Sequence, residues 1–393
     1  MKILYHHRTA SKDGQAVHIE EMIEAMRALG HEVCVVAPSM GGGDAGQGAM
    51  GAQVGWVGRM KAVLPLALYE LLELSYSLLA YKQLVRAAKG FKPDFIYERY
   101  NLFLIAGVLV KRKLKVPLLL EVNAPLVDER IKHSGGLSLK RLARWAEGFT
   151  WRSADFVLPV TNVLAQHVKA YGVPDERISV IANGINEAHF VDAPDVLTAK
   201  KRLGLDGKLV LGFTGFVRDW HGVDRVVKWL ATPQAPENGY LLVVGDGPVR
   251  LELENLAEQL GIRNRIRFTG VINREHVPAH VAAFDVALQP AVTAYASPLK
   301  LMEYLVLGKA IVAPSEPNLL EVLTDSENAL LFDGRTAEGL ESVLTRLSED
   351  EALRRRLAIG ASATIEKLQL TWIANARKVT ALAEKAVNVD ANE

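Results

Sequence analysis

Short apolar, β-branched runs alternate with longer segments of helical period along almost the whole chain. The first half predicts strands at Lys2 to His6, Glu32 to Val36, Asp94 to Tyr97, Pro117 to Val122, Asp155 to Pro159 and Ile178 to Ile181, with Val17 to Leu29 the clearest helix. The second half predicts strands at Lys208 to Phe213, Tyr240 to Val244, Arg265 to Thr269, Val286 to Gln289 and Ala310 to Ala313. Helices are expected between them at Val223 to Ala231, Val249 to Leu260 and Pro298 to Leu307, and then at Thr336 to Leu347, Glu351 to Thr364 and Trp372 to Val387. Such alternation predicts parallel sheets covered by helices on both faces. The pattern restarts at Lys208 after a polar, Pro-containing stretch from Glu187 to Leu205. The expected fold is α/β: two doubly wound, Rossmann-like domains, residues 1–190 and 191–367, with the last helix, 368–393, packing back on the first. Ligands in such sheets bind beyond the carboxyl ends of the strands, so a central cleft between the domains is the expected active site.

Composition agrees with this picture and narrows it. The 393 residues are too many for one ordinary core and suit two domains. With 46 Lys+Arg against 45 Asp+Glu the formal net charge is +1, so no global field points to nucleic acid. Cys34 is the only cysteine and lies in the apolar run Val33 to Val36, which excludes an internal disulfide and reads as a buried core thiol. His6, His7 and Arg8 interrupt the first apolar run where an export segment would continue, so a cytoplasmic location is expected. The stretch from Val63 to Ala80 contains Pro65, Glu70 and Glu73, which excludes a transmembrane span. Leu66 to Ala88, ending in the cations Lys82, Arg86, Lys89 and Lys92, leaves two readings open. One is peripheral contact with an anionic membrane on its inner face; the other is an apolar core helix. Gly46 to Gly51 satisfies G-x-G-x-x-G by letter, but no strand runs into it and no helix leaves it, so Gly41 to Gly51 reads as a loop.

The segment Tyr295 to Tyr304 carries the densest chemical signal. Ser297 before Pro298 predicts a helix start with a side-chain cap, and such a start offers outward N–H donors to phosphate. Lys300 falls in the first turn, where a cation opposes the helix dipole unless an anion is bound. Glu303 follows at a spacing suited to ribose hydroxyls. In the first half, Asp13-Gly14-Gln15-Ala16 precedes a helix carrying His18 and Glu20, and Gly14 permits close approach of a phosphate. Glu98, Arg99 and Tyr100, with Asn101, end a strand; they are acceptor-site candidates, with a surface salt-bridge cluster as the competing reading. No Asp-x-Asp occurs and the histidines lack zinc spacing, so chemistry without a metal is expected.

Five segments in order carry a resemblance. They are Asn183-Gly184-Ile185-Asn186; Phe213-Thr214-Gly215 with Trp220-His221-Gly222-Val223-Asp224; Val244-Gly245-Asp246-Gly247-Pro248; Arg267-Phe268-Thr269-Gly270; and Ser297-Pro298-Leu299-Lys300 with Glu303-Tyr304 and Gly308 to Ala313. Together the chain resembles the family-four retaining glycosyltransferases of the GT-B fold, in the subgroup with the Ser-Pro-Leu-Lys donor motif. The resemblance implies sugar transfer from a nucleoside-diphosphate donor, UDP- or GDP-linked, to a hydroxyl on a glycan or lipid-linked acceptor, as in polysaccharide or glycolipid synthesis. It implies that Arg218 and Lys300 neutralise the pyrophosphate, with Gly215, Gly245, Ser297, Pro298 and Leu299 around it. His221 stands where many relatives have Lys, replacing a permanent charge with a pH-dependent one. Glu303 would bind ribose, and main-chain groups near Val271 and Ile272 the base. Tyr295 occupies the place of the family's first glutamate, as in that subgroup. Asn123 lies where many relatives place a His and is given a positioning role. A nucleotide-sugar 2-epimerase and a non-catalytic two-lobed sugar-binding protein remain the competing functions.

Overall fold

The computed structural model describes residues 1–9, 14–38, 64–133 and 135–390, so the readings made on Asp13 and on Gly41 to Gly51 lie outside the described residues. The chain divides into two compact units: residues 1–182 with 372–393, and residues 183–371. Each is a parallel sheet wrapped by helices, a Rossmann-like α/β arrangement.

In the first unit the order is β1 (Lys2–His6), α1 (Gly14–Ala28), β2 (Glu32–Val36), α2 (Leu66–Phe91), β3 (Phe95–Arg99), α3 (Ala106–Leu114), β4 (Leu118–Val122), α4 (Leu126–His133), α5 (Lys140–Ser153), β5 (Phe156–Pro159) and α6 (Asn162–Ala170). The strands lie in the order β2-β1-β3-β4-β5, all parallel. β3 and β4 are buried at every position, as expected of central strands covered on both faces. The topology reverses between β1 and β3, and the register there sets His6 beside Glu98, while Arg99 on β3 lies beside Glu121 on β4.

The second unit runs α7 (Val196–Leu203), β6 (Leu209–Thr214), α8 (Val223–Leu230), β7 (Gly239–Val244), α9 (Arg250–Gln259), β8 (Ile266–Phe268), α10 (Val277–Val281), β9 (Val286–Leu288), α11 (Leu299–Val306), β10 (Ala310–Pro314), β11 (Leu330–Phe332), α12 (Ala337–Glu349) and α13 (Glu351–Leu368). Its strand order is β11-β10-β9-β6-β7-β8, which reverses between β6 and β9. That point is where ligands of doubly wound sheets bind, outside the carboxyl ends of the two strands. Phe213, Trp229, Val243 and Val312 belong to one continuous buried core. The chain ends with α14 (Trp372–Asp390), which packs against α1 of the first unit.

The structure differs from the sequence reading in several places. Ile178 to Ile181 is no strand: one bridge joins Ile178 to Val157, and the Ser179 and Ile181 N–H groups donate to Val157 and Pro159 without a ladder returning the bonds. The polar stretch from Glu187 to Leu205 contains α7, started by Asp195, whose side chain accepts from Thr198 N–H. β11 was missed, because three residues at a sheet edge are too short to show a period. Cys34 is only partly buried, because β2 is an edge strand.

Candidate active site

At the reversal point of the second unit, four loops leave the carboxyl ends of β6, β7, β8 and β9. Gly215 follows β6 with φ +112° and Gly245 follows β7 with φ +142°, conformations open to glycine. A Cβ on Gly245 would drive into the Gly215 carbonyl oxygen, and one on Gly247 into that of Val217. The two loops are joined by Gly215 N–H to Val244 O (2.9 Å) and Val217 N–H to Asp246 O (2.8 Å). The Gly245 N–H donates to Thr269 Oγ1 at 3.0 Å, which brings in the loop after β8 carrying Val271 and Ile272. Val271 is exposed there.

α11 is fastened over β6 by Tyr304, whose hydroxyl accepts from Thr214 N–H at 2.9 Å. The helix begins at Leu299 with Pro298 at the cap position, and no side chain caps it. The expected Ser297 cap is therefore corrected. Its Oγ accepts from Asn183 N–H (3.2 Å), and its carbonyl accepts from Asn183 Nδ2 (2.6 Å). A second asparagine, Asn318, donates to the carbonyls of Ala296 (2.7 Å) and Thr293 (3.1 Å). The turn before α11 is thus held from outside, and the first helical N–H groups stay free of a side-chain cap.

Lys300, in that first turn, lays its Nζ 3.8 Å from the Phe213 ring centroid. Among the described residues it has no ion pair or hydrogen bond. Burial pushes its ammonium down to about 7, against the pull of Glu303. Burial likewise pushes the Glu303 carboxyl up to about 7, against Lys300 and Arg274, and Glu303 Oε2 is sealed from water without a partner. The Arg218 guanidinium stacks 5.0 Å from the rings of both Phe216 and Trp220. His221 Nδ1 accepts from the Arg218 N–H at 3.0 Å, which leaves Nε2 to carry the ring proton. Burial, then Lys300, then Arg218 hold His221 far below the ordinary range, at about 2. The expected pH-dependent charge on His221 is thereby corrected. Burial, reinforced by two neighbouring cations, keeps the ring neutral, and it offers a proton as a neutral donor. Arg218, His221, Lys300, Glu303, Gly215 and Gly245 are gathered at one end of one sheet.

The first unit gathers a second polar group at its own reversal point. Glu121 accepts four hydrogen bonds: from Tyr97 OH (2.6 Å), His18 Nε2 (2.9 Å), Asn123 Nδ2 (2.5 Å) and Arg99 Nη1. Burial works to raise its carboxyl, but His18 and Arg99 overcome it and hold Glu121 ionised, well below the usual range. Glu98 binds His6 Nδ1 at 2.5 Å, and both are buried. The surface-cluster reading of Glu98 and Arg99 is corrected, because register and burial make them interior residues. Tyr100 donates to Glu147 at 3.0 Å and His18 lies edge-on to Trp372, with centroids 4.7 Å apart. Gly14 is the exposed first residue of α1. Sequence reasoning missed Glu121 as the hub and Asn318 as a clamp. Alternation marks Glu121 only as part of a strand, and Asn318 sits in no motif. Among the described residues no group of three or more His, Cys, Asp or Glu side chains is placed to hold a metal ion, and no helix is long and apolar enough to cross a membrane.

Comparison with known proteins follows the same division. Residues 13–184 match the Glycosyl transferase 4-like domain, and residues 196–363 match Glycosyl transferases group 1. The chain is similar to the lipopolysaccharide core biosynthesis glycosyltransferase LpsD of Rhizobium meliloti, 30% identical over 59% of this chain and 65% of that protein. The match thus spans just under two thirds of that relative's length. It is also similar to the D-inositol 3-phosphate glycosyltransferase of Xylanimonas cellulosilytica, 32% identical over 69% of this chain and 67% of that protein. Among solved structures, Anabaena HepE in complex with UDP-glucose aligns with a TM-score of 0.72 at 19% identity, covering 98% of this chain and 99% of that one. WaaG, a glycosyltransferase involved in lipopolysaccharide biosynthesis, aligns at 0.66 and 20% identity, covering 99% of both. At these identities the structures share the GT-B fold.

Proposed function

The chain belongs to the glycosyltransferases built from a 4-like domain followed by a group 1 domain, and from that premise we propose that it moves a sugar from a nucleoside-diphosphate donor to a hydroxyl acceptor with retention of anomeric configuration. We place it in family four, in the subgroup with the Ser297-Pro298-Leu299-Lys300 motif. The observation that carries the reading is Lys300. Among the described residues it is a cation without a salt bridge or hydrogen bond, on the first turn of α11, beside a neutral His221 that also feels Arg218.

The donor pyrophosphate would take up the free N–H groups of α11, Lys300 Nζ, the Arg218 guanidinium and the His221 Nε2–H. Glu303 Oε2 would accept from a ribose hydroxyl, and main-chain groups at Val271 and Ile272 would meet the base. As the bond between the anomeric carbon and the phosphate oxygen breaks, negative charge grows on the diphosphate. Donors already fixed around it stabilise that state most. The acceptor oxygen attacks from the face the diphosphate leaves, its proton passes to the leaving phosphate oxygen, and the nucleoside diphosphate departs. The cations and the helix start take the part that a metal has elsewhere, so no metal is required in this scheme. Asn123, held by Glu121, takes a positioning role in this reading; His18 and Arg99 are the other buried partners of Glu121, while Glu98 and Tyr100, paired with His6 and Glu147, stay acceptor-site candidates with them.

A glycan or lipid-carried acceptor suits the relatives named for lipopolysaccharide assembly, and we place the enzyme in the cytoplasm at the inner face of the cell membrane. UDP-sugars are the donors to test first, because HepE was solved with UDP-glucose; GDP-sugars follow. An NMR time course reads the configuration of the first-formed product. A product of inverted configuration overturns the stereochemical assignment. Donor consumption without any acceptor, releasing an epimerised sugar, overturns transfer itself.

A further inference from the structure

The first turns of α2, residues 66–91, are set against the usual sense of an amphipathic helix, while its end buries Ala80, Leu84 and Ala88. Its carboxylates face inward. Glu70 accepts from the Ser138 and Leu139 N–H groups at 2.7 Å each, closing the start of α5 from a neighbouring helix. Glu73 binds Arg130 through two bonds of 2.5 and 2.8 Å and lies 3.7 Å from Arg8. Both are buried. The leucines face outward: Leu68, Leu71, Leu72, Leu78 and Leu79 are 39% to 61% exposed. Their spacing keeps them on one stripe, and the stripe continues through Lys82, Arg86 and Lys89, all exposed. Glu70 and Glu73 are the helix's only acidic residues, so this outer face carries apolar groups and positive charge and no negative charge. Trp145 is also exposed, on α5, the helix whose start Glu70 holds against α2, and Lys140, Arg141 and Arg144 are exposed beside it.

An exposed stripe of five leucines is costly in water, and a soluble surface helix would reverse the arrangement. The core-helix reading of this segment is therefore only half right: the helix packs, but through a mixed face of Tyr69, Glu70, Glu73, Ser77, Ala80, Leu84 and Ala88, and leaves its leucine stripe outside. We propose that the outer face of α2 is a docking surface for an anionic phospholipid membrane. The leucines enter the acyl boundary while Lys82, Arg86 and Lys89 meet lipid phosphates. Charge decides the occupant. A purely apolar protein partner gives no reason for a cationic end, and an anionic interface does. The surface lies in the first unit, the diphosphate loops in the second, so failure of this proposal leaves the transfer chemistry standing.

The test is co-sedimentation of the full chain with vesicles of phosphatidylglycerol and phosphatidylcholine, beside vesicles of phosphatidylcholine alone. Binding is expected on the anionic vesicles, weakened by salt, and absent on the neutral ones. Each cation removed lowers partitioning about fivefold, so Lys82→Gln with Arg86→Gln should lower it about 25-fold. Leu71→Glu with Leu78→Glu, both at exposed positions, should lower it by more than about tenfold. UDP binding by each variant, read by thermal shift, shows that it has folded. Wild-type protein left in the supernatant at low salt overturns the proposal. So does leucine-variant binding equal to wild type, or a lipid-free dimer that the leucine variant converts to monomer, which would make the face a contact between two copies.

Discussion

The Lys300 ammonium lies 3.8 Å from the centre of the Phe213 ring, a cation held on an aromatic face at the end of β6. Phe213 comes from the strand and Lys300 from the helix 87 positions later, and Tyr304 joins the two by taking the Thr214 N–H. The ring gives the charge a weak partner without neutralising it. A diphosphate would be a stronger one.

Replacing Lys300 with Ala should lower turnover by about a hundredfold or more, in line with the loss of a fixed transition-state donor. Steady-state rates with the preferred nucleotide sugar measure it. Unchanged turnover would remove Lys300 from the chemistry.

Diphosphate binding should take up a proton. In the free protein Lys300 is held down to about 7. A bound anion favours the charged ammonium and raises that value, so the complex holds a proton the free protein has lost. Below about pH 7 the ammonium is already charged and affinity is flat with respect to this group. Above it, UDP affinity should fall by up to about tenfold per pH unit. Calorimetry in buffers of different ionisation enthalpy reads the uptake directly at pH 8. It should vanish in Lys300→Met.

Tyr304→Phe should loosen α11 over the sheet. The buried Thr214 N–H would lose its acceptor, at a cost of about 1–3 kcal/mol. Thermal unfolding should shift downward, and the Kd for UDP should rise, because Lys300 rides on the same helix.

Gly245→Ala should be strongly destabilising. The added Cβ meets the backbone oxygen of Gly215, and the φ of +142° is strained for any residue with a side chain. Denaturant unfolding should show a loss of several kcal/mol, on the order of that for other severe backbone conflicts. A near-neutral effect would mean that the two loops are free to part.

Glu147 gives a stability prediction with a definite sign. Burial pushes its carboxyl from 4.5 to about 7, against the hydrogen bonds from Tyr171, Tyr100 and Val127. A folded value above the unfolded one gives a contribution that is full below about pH 4.5 and lost as pH rises through 7. Glu147→Gln should therefore stabilise the fold at pH 8, by on the order of 2 kcal/mol. The gain should shrink toward pH 5. Tm measured across that range decides it.

Much of this protein was written in short-range pattern. Alternation of β-branched runs and helical periods gave all the central strands within a residue or two, because parallel strands covered on both faces are mostly apolar, with Glu98, Arg99 and Glu121 the buried exceptions near their carboxyl ends. The segment Ser297 to Tyr304 announced a helix start by its letters alone, since Pro starts a helix, and α11 begins there with Lys300 in its first turn. What no local pattern held was partnership. Glu121 is charged because residues 18, 97, 99 and 123 converge on it, and only the β1-β3-β4 register brings them there. His221 reads as a titrating switch in sequence and becomes a neutral donor once it is buried with Lys300 and Arg218 beside it. The direction of α2 was likewise open, because period fixes which residues share a face but not which face turns inward. That was decided by Arg130 and by the start of α5, which draw Glu73 and Glu70 inside and leave the leucines on the surface. Sequence determines the repeat of a face; tertiary contacts determine what the face meets.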